Sequence, residues 1–349
     1  MRWKNKPPGS NWGEFGPHDQ RGRMNYVTRE KVLQGIAEVK EGRTFCLSLP
    51  LDYPGGSVLN PRRSPPRLAA TLRDGKNAGA QNFCYPLDTD APGVTDVVCD
   101  DVVLLTLQYS SQWDSFAHIG SRFDADGDGK AEIVFYNGFR AGEDIVPASQ
   151  KDHPEPWARY EGSQAKALGI QNLAEHGAQG RGVMIDLHAH VGRERRAVDF
   201  DLLMEIMKKD GVVVEKGDMV CLYTGFADVI LELQKKPDPK LLHGTCSGLD
   251  GRDDRLLQWI SDSGLACLIA DNYAVELIPT SLSKPKPHAA MPLHEHCLFK
   301  NGIHLGEMFY LTELARWLRE HGRSRFLLTA PPLRLPGAVG SPPAAVATV

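Results

Sequence analysis

The stretch Gln108-Tyr109-Ser110-Ser111-Gln112-Trp113-Asp114-Ser115-Phe116-Ala117-His118 is the densest set of chemically capable side chains in the chain. Asp114 can bind a hard or borderline metal, and His118 can bind a metal or accept a proton near neutral pH. The alternative is a carboxylate–histidine hydrogen bond that pins a loop. A second cluster holds His294, Glu295, His296 and Cys297, with His304 and Glu307 close behind. On a regular helix His294 and His296 project about 200° apart and cannot share one ion; in an extended segment they can. Exposed histidines with a capping glutamate are the structural alternative. A third cluster, His188-Ala189-His190, follows an apolar run. In a strand the two histidines share a face, as ligands or as pocket lining. The fourth, Asp124-Ala125-Asp126-Gly127-Asp128-Gly129, opens like a calcium loop, but Phe135 stands where a bidentate glutamate belongs. Weak calcium binding at Asp124, Asp126 and Asp128 competes with a plain Asp/Gly turn.

These groups need elements to hold them. An apolar strand over 102–107 is expected to deliver the Gln108–His118 stretch to a sheet edge. Further strands are expected over 44–50, 133–136, 183–187, 219–223, 265–270 and 326–329. Helices are expected over 200–209, 227–235, 255–263 and 311–320. Thr28 can cap a helix whose apolar face runs through Val32, Ile36 and Val39. Strands and helices alternate through the second half, which gives an α/β class with a largely buried sheet. Residues 51–100, rich in Pro and Gly, read as a long excursion, and the tail after Pro331 as extended chain. Residues 1–25 form an irregular N-terminal arm ahead of a single domain over 26–349, and its Trp12 and Phe15 are expected to pack on a neighbouring copy.

The 349 residues carry a net charge of −4 with 42% hydrophobic and 24% charged residues, a composition that gives no electrostatic pull toward nucleic acid or anionic lipid. No window approaches the roughly 20 apolar residues of a membrane span, and the N-terminus lacks a signal-like apolar stretch. Seven scattered cysteines without CxxC spacing argue against a disulfide framework or zinc knuckle. The expectation is a cytoplasmic protein with a small-molecule substrate and no nucleic-acid or membrane partner.

Several segments resemble the cyclase/kynurenine-formamidase family, in the expected order along nearly the whole chain. They are Asn11-Trp12-Gly13-Glu14-Phe15-Gly16-Pro17, Gly180-Arg181-Gly182-Val183-Met184-Ile185-Asp186, Asp271-Asn272-Tyr273-Ala274-Val275-Glu276 and Gly302-Ile303-His304-Leu305-Gly306-Glu307. The tail from Ala330-Pro331-Pro332 to Gly340-Ser341-Pro342 fits as well. The resemblance, which extends to isatin hydrolases, implies a swivelling β/β/α fold assembled as homodimers or homotetramers. Its hallmark is a His-x-x-x-His-x-Asp-x-Pro-x-His segment, in which the first two histidines and the aspartate bind a divalent metal and the last histidine moves protons. A later histidine and glutamate complete the site.

On that pattern Asp114 takes the metal aspartate's place, His118 the proton-transfer place, and Glu307 the late glutamate's. Gln108 and Gln112 replace the two metal histidines, Phe116 replaces the proline, and the late ligand is His294 or His296, with His294 the better fit. The chain thus looks like a Gln-Trp-Asp subgroup with Asp114, Gln112, His294 and Glu307 as the implied metal set. An amide carbonyl in place of imidazole weakens zinc and favours manganese or magnesium. The implied activity is metal-dependent hydrolysis of a small cyclic or aryl amide, with His118 as general base. A metal-free lyase or cyclase using His118 and Asp114, and a non-catalytic binding protein, are the alternatives. Trp113, Phe116, Trp12 and Phe15 either line a pocket for a planar substrate or belong to the core.

Overall fold

The computed structural model describes residues 1–278 and 287–349. Its centre is a nine-stranded sheet. Numbered along the chain, the strands are β1 (Thr44–Cys46), β2 (Gln112–Asp114), β3 (Gln179–Asp186), β4 (Met219–Tyr223), β5 (Cys267–Ala270), β6 (His304–Glu307), β7 (Arg325–Thr329), β8 (Gly340–Ser341) and β9 (Val346–Thr348). Their order across the sheet is β1-β9-β7-β3-β4-β5-β6-β2-β8. The central four, β3 to β6, run parallel, and β7 and β2 flank them antiparallel. Among the described residues, the helices α1 (Arg29–Ala37), α2 (Phe200–Lys209), α4 (Asp254–Asp262) and α5 (Thr312–Glu320) pack on the sheet, while α3 (Phe226–Glu232) packs in a separate cluster with Leu49, Leu59, Leu242 and Met308.

Period-2 alternation divides the sheet between two cores. Val183, Ile185, Val220, Leu222, Leu268 and Leu305 face one, with Leu203 and Ile206 of α2 and Leu256 and Ile260 of α4. Met184, Met219, Cys221, Ile269 and Trp113 face the other, with Leu314, Trp317 and Leu318 of α5. The strands are apolar on both faces because helices cover both. Side-chain caps start α2 and α4, where Asp199 accepts from Leu202 N and Asp253 from Arg255 N and Leu256 N.

The structure revises several expectations. Residues 102–107 do not form a buried strand. Asp101–Leu104 pairs with Arg67–Ala70 in a separate two-stranded ribbon, where Val102 and Val103 are exposed. The buried strand is the Gln112–Asp114 segment itself. The tail after Pro331 is not merely extended, since it returns as β8 and β9 to complete both ends of the central pairing. Thr28 does cap α1 and Val32 packs against the core, but Ile36 is exposed, Val39 lies past the helix end, and Lys31 and Gly35 are buried. The cause lies underneath the helix. Lys31 Nζ reaches Asp218 at 3.1 Å, Arg181 Nε reaches the same carboxylate at 2.8 Å, and a Cβ on Gly35 would lie 2.8 Å from the Gly180 carbonyl. The ion network and the glycine contact orient the helix more strongly than Ile36 does.

The N-terminal arm packs on its own chain through Trp12 and Trp3. Trp12 is buried within its own chain and donates from Nε1 to Phe299 O at 2.8 Å. Trp3 stacks edge-on against it, and Lys4 N donates to Ala125 O. Among the described residues no helix is long and apolar enough to cross a membrane.

Candidate active site

Strand β2 positions the first half of the site. Its side chains alternate, so Trp113 enters one core while Gln112 and Asp114 share the opposite face. The pairing with β6 sets Glu307 opposite Gln112 and Leu305 opposite Asp114, which brings Glu307 onto that same face. His294 arrives from the helical turn Pro292–His294, which runs on into a π-helical turn, Glu295–Lys300. Ligand atoms of Asp114, His294 and Glu307 lie within 4.8 Å of one another, and all three residues are buried.

Hydrogen bonds fix two of the three. His294 Nε2 lies 3.1 Å from Glu307 Oε1, and His294 Nδ1 lies 2.7 Å from Glu276 Oε1. Glu276 also accepts from the backbone N–H groups of Leu293 and His294. A carboxylate that holds Nδ1–H and turns Nε2 toward the site is the usual support of a metal-binding imidazole. Close packing keeps Glu276 there, since a Cβ on Gly251 would lie 2.4 Å from its Oε2. Val275 and Met308, neighbours of Glu276 and Glu307, hold left-handed backbone at φ +58° and +55°. Left-handed φ at a β-branched valine is costly and persists where surrounding contacts enforce it.

Asp114 differs from its neighbours. Both its carboxylate oxygens are buried without a hydrogen-bond partner. The nearest imidazole nitrogens are His118 Nε2 and His294 Nε2, each 3.9 Å away. Burial pushes the Asp114 carboxyl up; His118 pulls it down, Glu307 adds to the rise, and His294 and Arg63 oppose it. Burial would also raise Glu307, but its hydrogen bond and charge contact with His294 hold it below the ordinary range. Burial alone would lower His294, yet Glu276 and Glu307 raise it to about 10. Two buried carboxylates around one imidazole, with two orphan oxygens, form a donor set that fits a divalent cation.

Gln112 is not placed as a ligand. Its Oε1 accepts from Arg63 Nη1 at 3.2 Å and its Nε2 donates to Glu307 Oε2 at 3.0 Å. Arginine only donates, so the carbonyl must face Arg63 and the NH2, which cannot ligate, faces Glu307. Gln112 therefore orients Glu307. The backbone carbonyl of Gln108 takes a second bond from Arg63 Nη1 at 2.7 Å. His296 turns away from the cluster to Ser261 Oγ at 2.9 Å, and burial lowers it to about 4, which leaves His294 as the late histidine.

His118 reaches the edge of the cluster with its side chain 20% exposed. At 3.9 Å it makes no hydrogen bond to Asp114, so such a bond does not pin the loop. The backbone turn from His118 N to Ser115 O does so instead.

Trp113, Phe116 and Trp12 are core residues, and Phe15 is half-buried. Trp113 is fully buried and donates from Nε1 to Ala330 O. Phe116 is buried against Tyr136 and stacked on His304. Trp12 lies in the core, and Phe15 packs edge-on against Tyr26. Large apolar rings beside a buried strand complete the core before they can serve a cleft.

The His188 cluster is a helical turn, His188–Val191, not a strand; His190 pairs with Asp210, and His188 lies against Tyr223. Asp124, Asp126 and Asp128 do converge. Their oxygens accept the loop's own N–H groups from Gly127, Asp128, Gly129 and Lys130. Phe135 is buried and supplies no twelfth-position carboxylate.

Sequence reasoning missed Glu276 and Arg63. Glu276 lay inside a family-like segment, but no spacing rule ties it to His294. Arg63 lay in the Pro/Gly-rich excursion, which carried no local signal.

The family described as "Putative cyclase" matches residues 47–277. A crystal structure described as a novel cyclase is 28% identical, covers 97% of this chain and 99% of its own, and has a TM-score of 0.71. Isatin hydrolase A from Labrenzia aggregata, bound to benzyl benzoate, is 13% identical, covers 91% of this chain and 97% of its own, and has a TM-score of 0.53. Isatin hydrolase A from Ralstonia solanacearum is 15% identical, covers 92% of this chain and 97% of its own, and also has a TM-score of 0.53. At those identities the two hydrolases share the fold. No curated protein matches. With its alternating strands and helices, its curled-in tail and the 47–277 match taken together, this chain belongs to the cyclase family.

Proposed function

We propose that the chain is a metal-dependent hydrolase of a small cyclic or aryl amide, a formamide, lactam or imide. Asp114, His294 and Glu307 would hold one divalent ion, with manganese favoured over zinc because two of the three donors are carboxylates. The observation that carries this reading is the pair of buried Asp114 oxygens without partners. A bound divalent ion supplies Lewis acidity toward a carbonyl and lowers the pKa of water.

The remaining chemistry falls to the chain's own groups. His118 stands at the solvent edge of the cluster, where its Nε2 can take a proton from an attacking water and return one to the leaving nitrogen. Glu276 fixes the His294 tautomer, and Gln112, held by Arg63, orients Glu307. Isatin hydrolases on the same fold support amide cleavage as the reaction class. Assembly as a homodimer or homotetramer belongs to the same reading, with exposed Leu33 and Ile36 of α1 as apolar surface for it.

The test is a panel of N-formyl anilines, lactams and imides assayed with manganese-loaded and chelator-treated protein. Turnover confined to the loaded form is expected. Fully loaded protein that turns over none of the three classes would contradict the hydrolase reading.

A further inference from the structure

Outside the site, the short ribbon pairing Tyr85–Pro86 with Val97–Val98 brings two thiols together. Tyr85 faces Val98, so the next rung sets Cys84 against Cys99. Their sulfurs lie 3.8 Å apart, and Cys84 N donates to Cys99 Sγ at 3.0 Å. Both cysteines are exposed, and Cys84 holds left-handed backbone at φ +51°. The other exposed cysteine, Cys46, has no thiol partner among the described residues, and the remaining four are buried. Three independent features therefore coincide at this rung: contact between the sulfurs, access from solvent, and a strained residue.

We propose that Cys84 and Cys99 are a reversible redox-modification site that closes to an intramolecular disulfide by exchange with a small disulfide such as oxidised glutathione. One thiolate attacks the small disulfide, forms a mixed disulfide and releases one glutathione. The facing thiolate then attacks the protein sulfur of that mixed disulfide, the Cys84–Cys99 bond forms, and a second glutathione leaves. Two protein thiols are oxidised, one disulfide is reduced, and the two protons end on the two glutathiones. Bond formation needs the sulfurs to move from contact to about 2.05 Å, a side-chain rotation across a rung already in register. The hydrogen bond and charge contact with Cys99 push the Cys84 thiol up, so exchange should quicken as pH rises.

The location gives the bond a structural consequence. Between residues 61 and 108 only Asn82 and Tyr85 are buried, so this excursion has little core to order it. A covalent rung restricts its unfolded states in the way loop-closing disulfides do.

The test incubates the full-length protein with oxidised glutathione, quenches in acid, denatures, and alkylates the remaining thiols. Reduced protein should show all seven cysteines alkylated, and oxidised protein five apart from any glutathione adduct on Cys46, with a Cys84–Cys99 cross-linked peptide that dithiothreitol removes. Cys99→Ser should give no cross-link and leave Cys84 as a stable glutathione adduct. A wild-type protein that keeps seven free thiols, or that carries separate adducts on Cys84 and Cys99, would overturn the proposal.

Discussion

Replacing Glu276 with glutamine tests the support of His294, the histidine proposed to bind metal. Glu276 accepts three bonds, from Leu293 N at 3.2 Å, His294 N at 3.0 Å and His294 Nδ1 at 2.7 Å. Glutamine has one oxygen for these donors, so at least one N–H faces an NH2 group. Removing such a support typically weakens metal binding 10–100-fold, or about 1.4–2.7 kcal/mol. At a free manganese concentration of about 100 times the wild-type Kd, the ion stabilises wild type by about 2.7 kcal/mol. For a variant weakened a hundredfold, that contribution drops to about 0.4 kcal/mol. Calorimetric titration gives the Kd, and melts with and without manganese give the second quantity. A metal-free variant that is less stable but binds manganese with wild-type affinity would refute the reasoning, since Glu276 would then be only a backbone cap.

Three further predictions rest on other residues. His118→Asn should lower turnover of a confirmed substrate roughly 10²–10⁴-fold while manganese affinity stays within about twofold, and near-normal turnover would remove His118 from the mechanism. Burial holds His296 neutral, with its pKa lowered to about 4. The unfolded chain then binds the extra proton between about pH 6.5 and 4, so stability falls as pH drops through that window, by about 1.4 kcal/mol per pH unit from this residue. Urea melts comparing wild type with His296→Asn should show that difference in slope, and parallel pH profiles would contradict it. The Asp124 turn satisfies its own carboxylates, so millimolar calcium should leave Tm unchanged; a clear rise would assign calcium to Asp124, Asp126 and Asp128.

The parallel centre of the fold was legible because each of its elements carries its own signal. Residues 200–209 have an aspartate cap and a helical apolar stripe, and 219–223 is a continuous apolar run. The periphery was not legible, for reasons that lie beyond any local window. Val102 and Val103 look like core but sit on a ribbon with nothing over them, and β8 and β9 are two- and three-residue strands recruited by long-range pairing. In the site, Asp114, His294 and Glu307 could be chosen from residue type and family pattern. The role of Gln112 could not, because it depends on which end of its amide meets Arg63, 49 residues earlier in the chain. The aromatic residues misled because a tryptophan in a functional strand looks alike whether it faces the site or the opposite core.

The central claim is that Asp114, His294 and Glu307 form one divalent-metal site. Its most direct test is manganese titration of chelator-treated protein by calorimetry, alongside Asp114→Asn. One ion per chain is predicted for wild type, with binding lost in the variant even though the neutral side chain relieves a buried, unpartnered charge and leaves the metal-free fold as stable or more so. Binding of equal stoichiometry and affinity in wild type and Asp114→Asn, or no manganese or zinc binding by wild type at all, would contradict the account.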